Sequence, residues 1–213
     1  MISKLLLKSF YESRKDEYYT RRNSGDSIQW DEGYKWEIFP KLNEALAEYR
    51  TITADSLPEI VRLLKKHNPQ QGSFAHWIEM DNLNILTRLT NGWQVVAPLW
   101  EATPDTIEDD IETIDTTGNF LIQHKFGNAM YGYMLTARDC DNFAIYHTDL
   151  VKGLVELGID DKPKTKGEGY RLLNDSARYL GELMEADHKG EAGYGLAALN
   201  GQDFLWISLV KYI

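Results

Sequence analysis

The chain has 213 residues, of which 43% are hydrophobic and 12% aromatic, so it can bury a substantial core. No run approaches the roughly 18 consecutive apolar residues of a membrane span. The single cysteine, Cys140, excludes an internal disulfide and fits a reducing cytoplasm. We expect a cytoplasmic protein with one domain over residues 1–213, and a subdivision near the acidic segment 101–118 is the alternative.

The formal net charge of −10 bears on the choice of partner. Most of the excess lies between residues 101 and 150, which carry ten acidic and two basic side chains. Strong non-specific DNA binding requires Lys and Arg to displace counterions from phosphates, so the global charge argues against it. The rest of the chain is nearly neutral, which leaves room for a local basic surface.

Apolar residues at three- and four-residue spacing predict helices along most of the chain. The expected helices cover residues 2–22, 34–49, 56–67, 74–89 and 92–100, an acidic stretch after Thr103-Pro104, and residues 129–137, 149–157, 170–185 and 199–212. Two short apolar runs, at 120–122 and 143–146, are the strand candidates. The sequence therefore predicts a mainly α fold, a single compact helical domain. The alternative is an α+β fold with a small two-stranded element.

The segment from Gln202 to Ile207 is unusually apolar for a position so near the end of the chain. Terminal segments are normally polar and frayed. Two interpretations follow. Either this helix closes the core, or the chain is the N-terminal fragment of a longer protein.

The sequence offers little support for catalysis. It contains no Gly-x-x-x-x-Gly-Lys-Ser/Thr loop, no His-Glu-x-x-His and no Gly-x-Ser-x-Gly. Cys140 and His147 could form a nucleophile–base pair, but Asp139 and Asp141 flank the cysteine and disfavour its thiolate. We therefore expect no enzymatic activity of this chain alone and no cofactor.

The acidic segment allows two interpretations besides a solvated helix face. Asp105, Glu108 and Glu112 share one face of the predicted helix and could hold a hard cation, although solvated faces are far commoner and we expect no metal. The same face, from Asp105 to Asp115, carries our second functional hypothesis. It describes a protein-interaction or sensor domain that docks a basic partner.

A nuclease pattern provides the third hypothesis. Pro104-Asp105 and Gln123-His124-Lys125 resemble the loose Pro-Asp…Asp/Glu/Gln-x-Lys pattern of metal-dependent nucleases. That chemistry needs a carboxylate for magnesium and a lysine that positions water. Here Gln123 occupies the position of the second acid, and such short patterns often occur by chance.

Basic and aromatic residues interleave near residue 20, and lysines recur in a glycine-flanked loop near residue 164. Lysines in loops contact phosphates, and aromatic rings stack on flipped or unpaired bases. An ordinary solvated helix face followed by an exposed loop would have the same composition. The candidate nucleic-acid-binding residues are Tyr18, Tyr19, Arg21, Arg22, Lys162, Lys164, Lys166 and Arg171.

Several aromatic segments together resemble a known family. They are Tyr34-Lys35-Trp36-Glu37, Phe39-Pro40-Lys41-Leu42-Asn43, Gly72-Ser73-Phe74-Ala75-His76-Trp77, Phe126-Gly127, Tyr131-Gly132-Tyr133-Met134-Leu135, Phe143-Ala144-Ile145-Tyr146 and Ala198-Leu199-Asn200-Gly201-Gln202-Asp203-Phe204-Leu205-Trp206. The sequence resembles the amino-terminal region that precedes the AAA+ motor in McrB-like restriction proteins.

The resemblance implies a DNA-targeting module of a defence system that binds DNA without cutting it. It also implies an AAA+ motor and a nuclease subunit as partners. The quoted motifs are aromatic core signatures and transfer no catalytic residue, and the acidic stretch 101–150 departs from a plain DNA-binding surface.

Overall fold

The computed structural model describes residues 2–68, 74–117, 126–191 and 193–211. Over these ranges it contains helices and no β-strand, which confirms the mainly α prediction. The helices are α1 Lys4–Arg22, α2 Tyr34–Leu46, α3 Leu57–Lys66, α4 Trp77–Leu86, α5 Trp93–Glu101, α6 Ile107–Thr117, α7 Asn128–Arg138, α8 Thr148–Glu156, α9 Lys166–Asp187 and α10 Ala197–Trp206, and a π-helical turn, Ile207–Lys211, follows α10.

The core consists of two adjoining groups of buried side chains. The first group is supplied mainly by α2 to α7, and the second mainly by α1, α8, α9 and α10. Helix α6 packs against both α5 and α9, and α7 also contacts α9. These contacts join the two groups into one compact domain. None of the helices within the described ranges combines the length and apolar character that crossing a bilayer requires.

Side-chain caps determine where the helices near the candidate site begin. Thr165 Oγ1 accepts a hydrogen bond from the Glu168 amide at 3.1 Å, and the Glu168 carboxylate accepts one from the Thr165 amide at 3.3 Å. This reciprocal cap starts α9 at Lys166, four residues before the predicted start. His147 caps α8 in a similar way, because its Nδ1 accepts from the Asp149 amide at 3.2 Å.

Residues 143–146 are largely buried and belong to no helix, but they do not form the predicted strand. Asn174 of α9 bonds their backbone instead, since its Oδ1 accepts from the Ala144 amide at 2.8 Å and its Nδ2 donates to the Asn142 carbonyl at 3.1 Å. Tyr170 Oη donates to the Ala144 carbonyl at 2.8 Å. Side chains of α9 thus satisfy polar groups that a neighbouring strand would otherwise bond. The other strand candidate, 120–122, lies outside the described residues.

Helix α7 approaches the end of segment 143–146 very closely and fixes its position. A Cβ added to Gly132 would lie 2.6 Å from the Tyr146 backbone nitrogen, so only glycine fits at this crossing. Tyr146 is therefore held between α7 and α9, where its ring is half-buried. At the other end of the domain α10 lies in the core, with Phe204 and Leu205 fully buried.

Candidate nucleic-acid interface

A cleft of about 500 Å³ opens between α8 and the loop that leads into α9. Val151 and Val155 form the wall on α8, Pro163 lies on the loop, and Tyr146 belongs to segment 143–146. The walls are mostly apolar, and the polar groups are few. Such a cavity suits a flat ring with a limited number of hydrogen-bonding atoms.

Lysine side chains surround this cleft. Lys152, Lys162 and Lys164 are exposed and line it, together with the single acidic residue Glu156. Lys152 Nζ pairs with Asp149 Oδ1 at 2.8 Å. Neither Lys162 nor Lys164 takes part in an ion pair within the described part of the chain. Their ammonium groups are therefore available to a phosphate that approaches from solvent.

The other two basic residues predicted near this loop are directed toward α6. Lys166 Nζ pairs with Asp115 and donates to the Phe126 carbonyl at 2.8 Å. The Arg171 guanidinium pairs with Glu108. Both side chains are half-buried, so they anchor the start of α9 to the acidic helix while Lys162 and Lys164 remain exposed.

The acidic face of α6 is occupied largely by these internal contacts. Glu112 Oε1 also accepts from the Gly167 amide at 2.7 Å, which leaves that first-turn amide of α9 without a free hydrogen. Asp105 and Asp109 remain exposed at the other side. Docking of a basic partner on this face stays a prediction, and it would have to rely on the residues that α9 does not already engage.

Asn128, which lines the cleft, has a buried polar atom without a partner among the described residues. Asn128 Nδ2 donates to the Lys166 carbonyl at 2.9 Å, whereas Asn128 Oδ1 is buried and accepts no hydrogen bond from the described residues. An unmet buried acceptor costs about 1–3 kcal/mol, which a ligand N–H could recover. The adjacent Gly169 keeps the cleft open, since an added Cβ would lie 3.6 Å from Asn128 Nδ2 and 3.7 Å from Tyr146 Oη.

The four candidates on α1 do not line this cleft. Tyr18 is 1% exposed, and its Oη donates to Asp203 Oδ2 at 2.8 Å while burial raises its pKa well above the usual value. Arg22 Nη1 donates to Tyr18 Oη and to Asn200 Oδ1, both at 2.9 Å. These two side chains join α1 to α10, and the Tyr18 ring has no face open to a base.

Tyr19 and Arg21 also have partners within the domain. The hydroxyl groups of Tyr19 and Tyr11 share a hydrogen bond of 2.8 Å, and the Tyr19 ring lies edge-on to His188 with centroids 4.4 Å apart. Arg21 Nη2 pairs with Glu17 Oε1 at 2.8 Å and keeps part of its side chain exposed. The structure thus places Tyr18, Tyr19 and Arg22 in internal contacts and leaves Arg21 partly exposed on the surface of α1. Lys162 and Lys164 lie at the open cleft between α8 and α9.

Sequence reasoning missed Asn128, Tyr146 and Lys152, which complete the cleft. The three residues lie on α7, on segment 143–146 and on α8, and no short sequence pattern contains all of them. Only the close approach of α7 and α9 to residues 143–146 brings them to one place. The sequence carried one usable signal, namely the aromatic residue at the end of a short apolar run.

The thiol and metal hypotheses can be compared with the geometry. Cys140 is buried, and burial, together with Asp139 and Asp141, raises the pKa of its thiol to about 11. That thiol is protonated at neutral pH. In the ranges that the structure describes, no group of three His, Cys, Asp or Glu side chains could hold a metal ion. The second half of the nuclease pattern, Gln123 to Lys125, lies outside those ranges.

Comparison with protein-family models, curated proteins and solved structures finds no match to this chain. The McrB-like resemblance therefore stays a prediction that rests on the quoted residues. The function is inferred from the cleft and from the side chains that line it.

Proposed function

We propose that this chain is a non-catalytic DNA-recognition module that binds DNA at the mouth of the α8–α9 cleft. The observation that carries the proposal is the position of Lys162 and Lys164, two exposed lysines beside a largely apolar cavity. Ammonium groups hold the phosphate backbone, and a cavity beside them gives access to a base.

The cleft has the features expected of a site for one base moved out of the stack. Tyr146 supplies a half-buried aromatic ring, and the opposite wall is apolar. Asn128 Oδ1 supplies an unpaired acceptor for an exocyclic amino group or a ring N–H. Aromatic contact and an edge-reading hydrogen bond are the two interactions with which proteins hold extruded bases.

The net charge of −10 fits a reader that makes few phosphate contacts. Each neutralised phosphate contributes about −0.9 to the slope of log affinity against log salt concentration. Since two or three lysines face the cleft, we expect a shallow slope and weak binding to DNA that places no base in the cavity.

In keeping with the McrB-like resemblance, the module would act in a restriction or anti-phage defence system. It would select the DNA, and an AAA+ motor and a nuclease subunit would carry out translocation and cleavage. Under this proposal the chain needs no metal and no cofactor of its own.

Replacing Lys162 and Lys164 together by alanine tests the phosphate contacts. We expect DNA affinity to fall at least tenfold and the salt slope to become shallower by about 2, because two phosphate contacts are lost. The matched control is Lys41→Ala with Lys66→Ala, two exposed lysines on α2 and α3 that do not line the cleft. An equal loss in both double variants would show that only overall charge matters.

Filling the cleft tests base insertion separately. Gly169→Leu places an isobutyl group in the cavity and leaves Lys162 and Lys164 in place, whereas Gly169→Ala adds only a methyl at ordinary contact distances. We expect the wild type and Gly169→Ala to prefer a probe with one unpaired base, since extrusion of that base costs least. Gly169→Leu should lose this preference. A preference that persists in Gly169→Leu would contradict base insertion in this cleft.

A further inference from the structure

A second, smaller cavity of about 230 Å³ shares Tyr146 with the cleft but contains none of its lysines. Tyr34, Phe74, Tyr146, His147 and Trp206 supply its aromatic walls. They come from α2, the residues just before α4, the connection between α7 and α8, and α10. The cavity therefore lies where the two groups of core residues meet. Of its lining residues the DNA proposal uses only Tyr146, and none of the candidate nucleic-acid-binding residues of the sequence lies in it.

Buried charges lie at the base of this cavity. The side chains of Lys35 and Glu32 are 5% and 9% exposed, and Lys35 Nζ lies 2.8 Å from Glu32 Oε2. Lys35 Nζ also donates to Gln202 Oε1 at 3.0 Å. Buried ion pairs contribute little net stability because desolvation offsets their attraction, and here the pair gives an otherwise aromatic cavity a polar base.

Asp203 adds an unmet acceptor beside this pair. It is fully buried, its Oδ1 lies 4.0 Å from Lys35 Nζ, and this oxygen accepts no hydrogen bond from the described residues. Asp203 Oδ2, by contrast, accepts from Tyr18 and from Trp30. The polar base of the cavity thus contains the Lys35 ammonium group, the Glu32 carboxylate and the Gln202 amide, and Asp203 lies behind Lys35 without lining the cavity.

The charges around the cavity balance one another. Three carboxylates, Asp31, Glu32 and Asp203, are matched by three cations, Lys35, Lys211 and Arg22. Lys211 pairs with Asp31 and lies 3.7 Å from Glu32, and Arg22 reaches Asp203 through the Tyr18 hydroxyl. A charged ligand would leave one charge uncompensated in a buried setting, which is costly. A purely apolar ligand would cover these polar groups without offering them any further hydrogen bond. The geometry therefore favours a neutral molecule with a polar edge.

We propose that this cavity binds a neutral, planar heteroaromatic molecule of nucleobase or nucleoside size. Its ring lies against the aromatic walls, and its polar edge faces Lys35 and Gln202. The cavity shares Tyr146 with the DNA cleft, but Lys162 and Lys164 take no part in it. A phosphate group on the ligand does not increase its affinity, because the cavity offers no unbalanced positive charge.

The wild-type chain labelled with 5-fluorotryptophan provides the test by ¹⁹F NMR. Of the six tryptophans, Trp206 lines the cavity, whereas Trp77 on α4 is 66% exposed and does not. Titration with adenine, cytosine and their nucleosides should shift the Trp206 signal, assigned with Trp206→Phe, and leave the Trp77 signal in place. Toluene should bind at least tenfold more weakly, and nucleoside monophosphates no more tightly than nucleosides.

Three results would overturn the proposal. They are the absence of a Trp206 shift at millimolar ligand, equal affinity for toluene, and tighter binding of the monophosphate than of its nucleoside. Gln202→Met should lower nucleobase affinity at least tenfold, and Lys162→Ala with Lys164→Ala should leave it unchanged. If Gln202→Met does not fold, the affinities of the wild-type chain for nucleobase and for toluene still test the proposal. Because the lysine variant affects only DNA binding, failure of this proposal is distinguishable from failure of the DNA proposal.

Discussion

Tyr18 Oη donates a hydrogen bond to Asp203 Oδ2 at 2.8 Å and thereby joins α1 to α10 inside the core. Trp30 Nε1 donates to the same oxygen at 3.0 Å, and Arg22 donates to the tyrosine hydroxyl. A buried polar network of this kind stabilises a fold only while its members keep their partners. Tyr18 and Arg22, near the end of α1, therefore serve the packing of the domain.

We expect Tyr18→Phe to lower the free energy of unfolding by about 1–3 kcal/mol, because it leaves Asp203 and Arg22 each short of a buried partner. Chemical unfolding followed by circular dichroism measures the change. Tyr179→Phe is the control, since Tyr179 is half-buried and has no comparable network. A loss for Tyr18→Phe no larger than the loss for Tyr179→Phe would show that the network contributes nothing measurable.

The crossing of α9 and α10 leads to a second stability prediction. A Cβ on Gly201 would lie 1.8 Å from the Ala177 carbonyl oxygen, so Gly201→Ala forces two helix backbones apart. We expect a loss of about 3 kcal/mol or more. Gly195→Ala meets nothing within 4 Å and should change stability little. Thermal unfolding of both variants checks this, and similar melting temperatures would contradict the close approach.

His147 makes stability depend on pH. Burial lowers its pKa below the usual 6.5, so the unfolded chain binds a proton more readily than the folded one. The stabilisation that neutral His147 provides is fully present above the pKa that this histidine has in the unfolded chain. The free energy of unfolding therefore falls as the pH drops below about 6.5. His147→Asn keeps a capping acceptor for α8 without a titrating ring.

Melting temperatures between pH 8 and pH 5 test this dependence. The wild type should lose more stability on acidification than His147→Asn. The variant keeps part of the loss, because burial also lowers the pKa of His67. Parallel pH profiles for the two proteins would rule out a contribution from His147.

Cys140 should react slowly with thiol reagents in the folded state. Its pKa of about 11 keeps it protonated at pH 8, and its side chain is buried. Iodoacetamide labelling followed by mass spectrometry should give slow modification of the native protein and rapid modification in guanidinium chloride. Equal rates in the two states would contradict the buried position.

Local sequence predicted most of the helices because their apolar spacing reports which face is buried. The predicted helices at 129–137 and 149–157 correspond to Asn128–Arg138 and Thr148–Glu156. The start of α9 was missed because Thr165 and Glu168, a reciprocal cap, lie in a stretch that resembles a loop. The run 143–146 does not form the predicted strand, because its hydrogen-bond partner is a helix side chain that no local pattern reveals.

The candidate site was predicted only in part for the same reason. Charge and glycine mark the exposed loop that carries Lys162 and Lys164, whereas Asn128 and Tyr146 join them in the cleft through tertiary contacts. Tyr18 and Arg22 have the composition of a binding surface. Their partners Asp203 and Asn200 lie at the far end of the sequence, so only the fold shows that they are internal.

The most direct test of DNA recognition is fluorescence anisotropy with duplex probes, modified and unmodified, at low and near-physiological salt. We expect binding that persists at near-physiological salt and prefers one probe, as befits a reader with few phosphate contacts and a base-sized cleft. Absence of binding at both salt concentrations would contradict DNA recognition by this chain and would direct attention to the exposed part of the acidic helix α6.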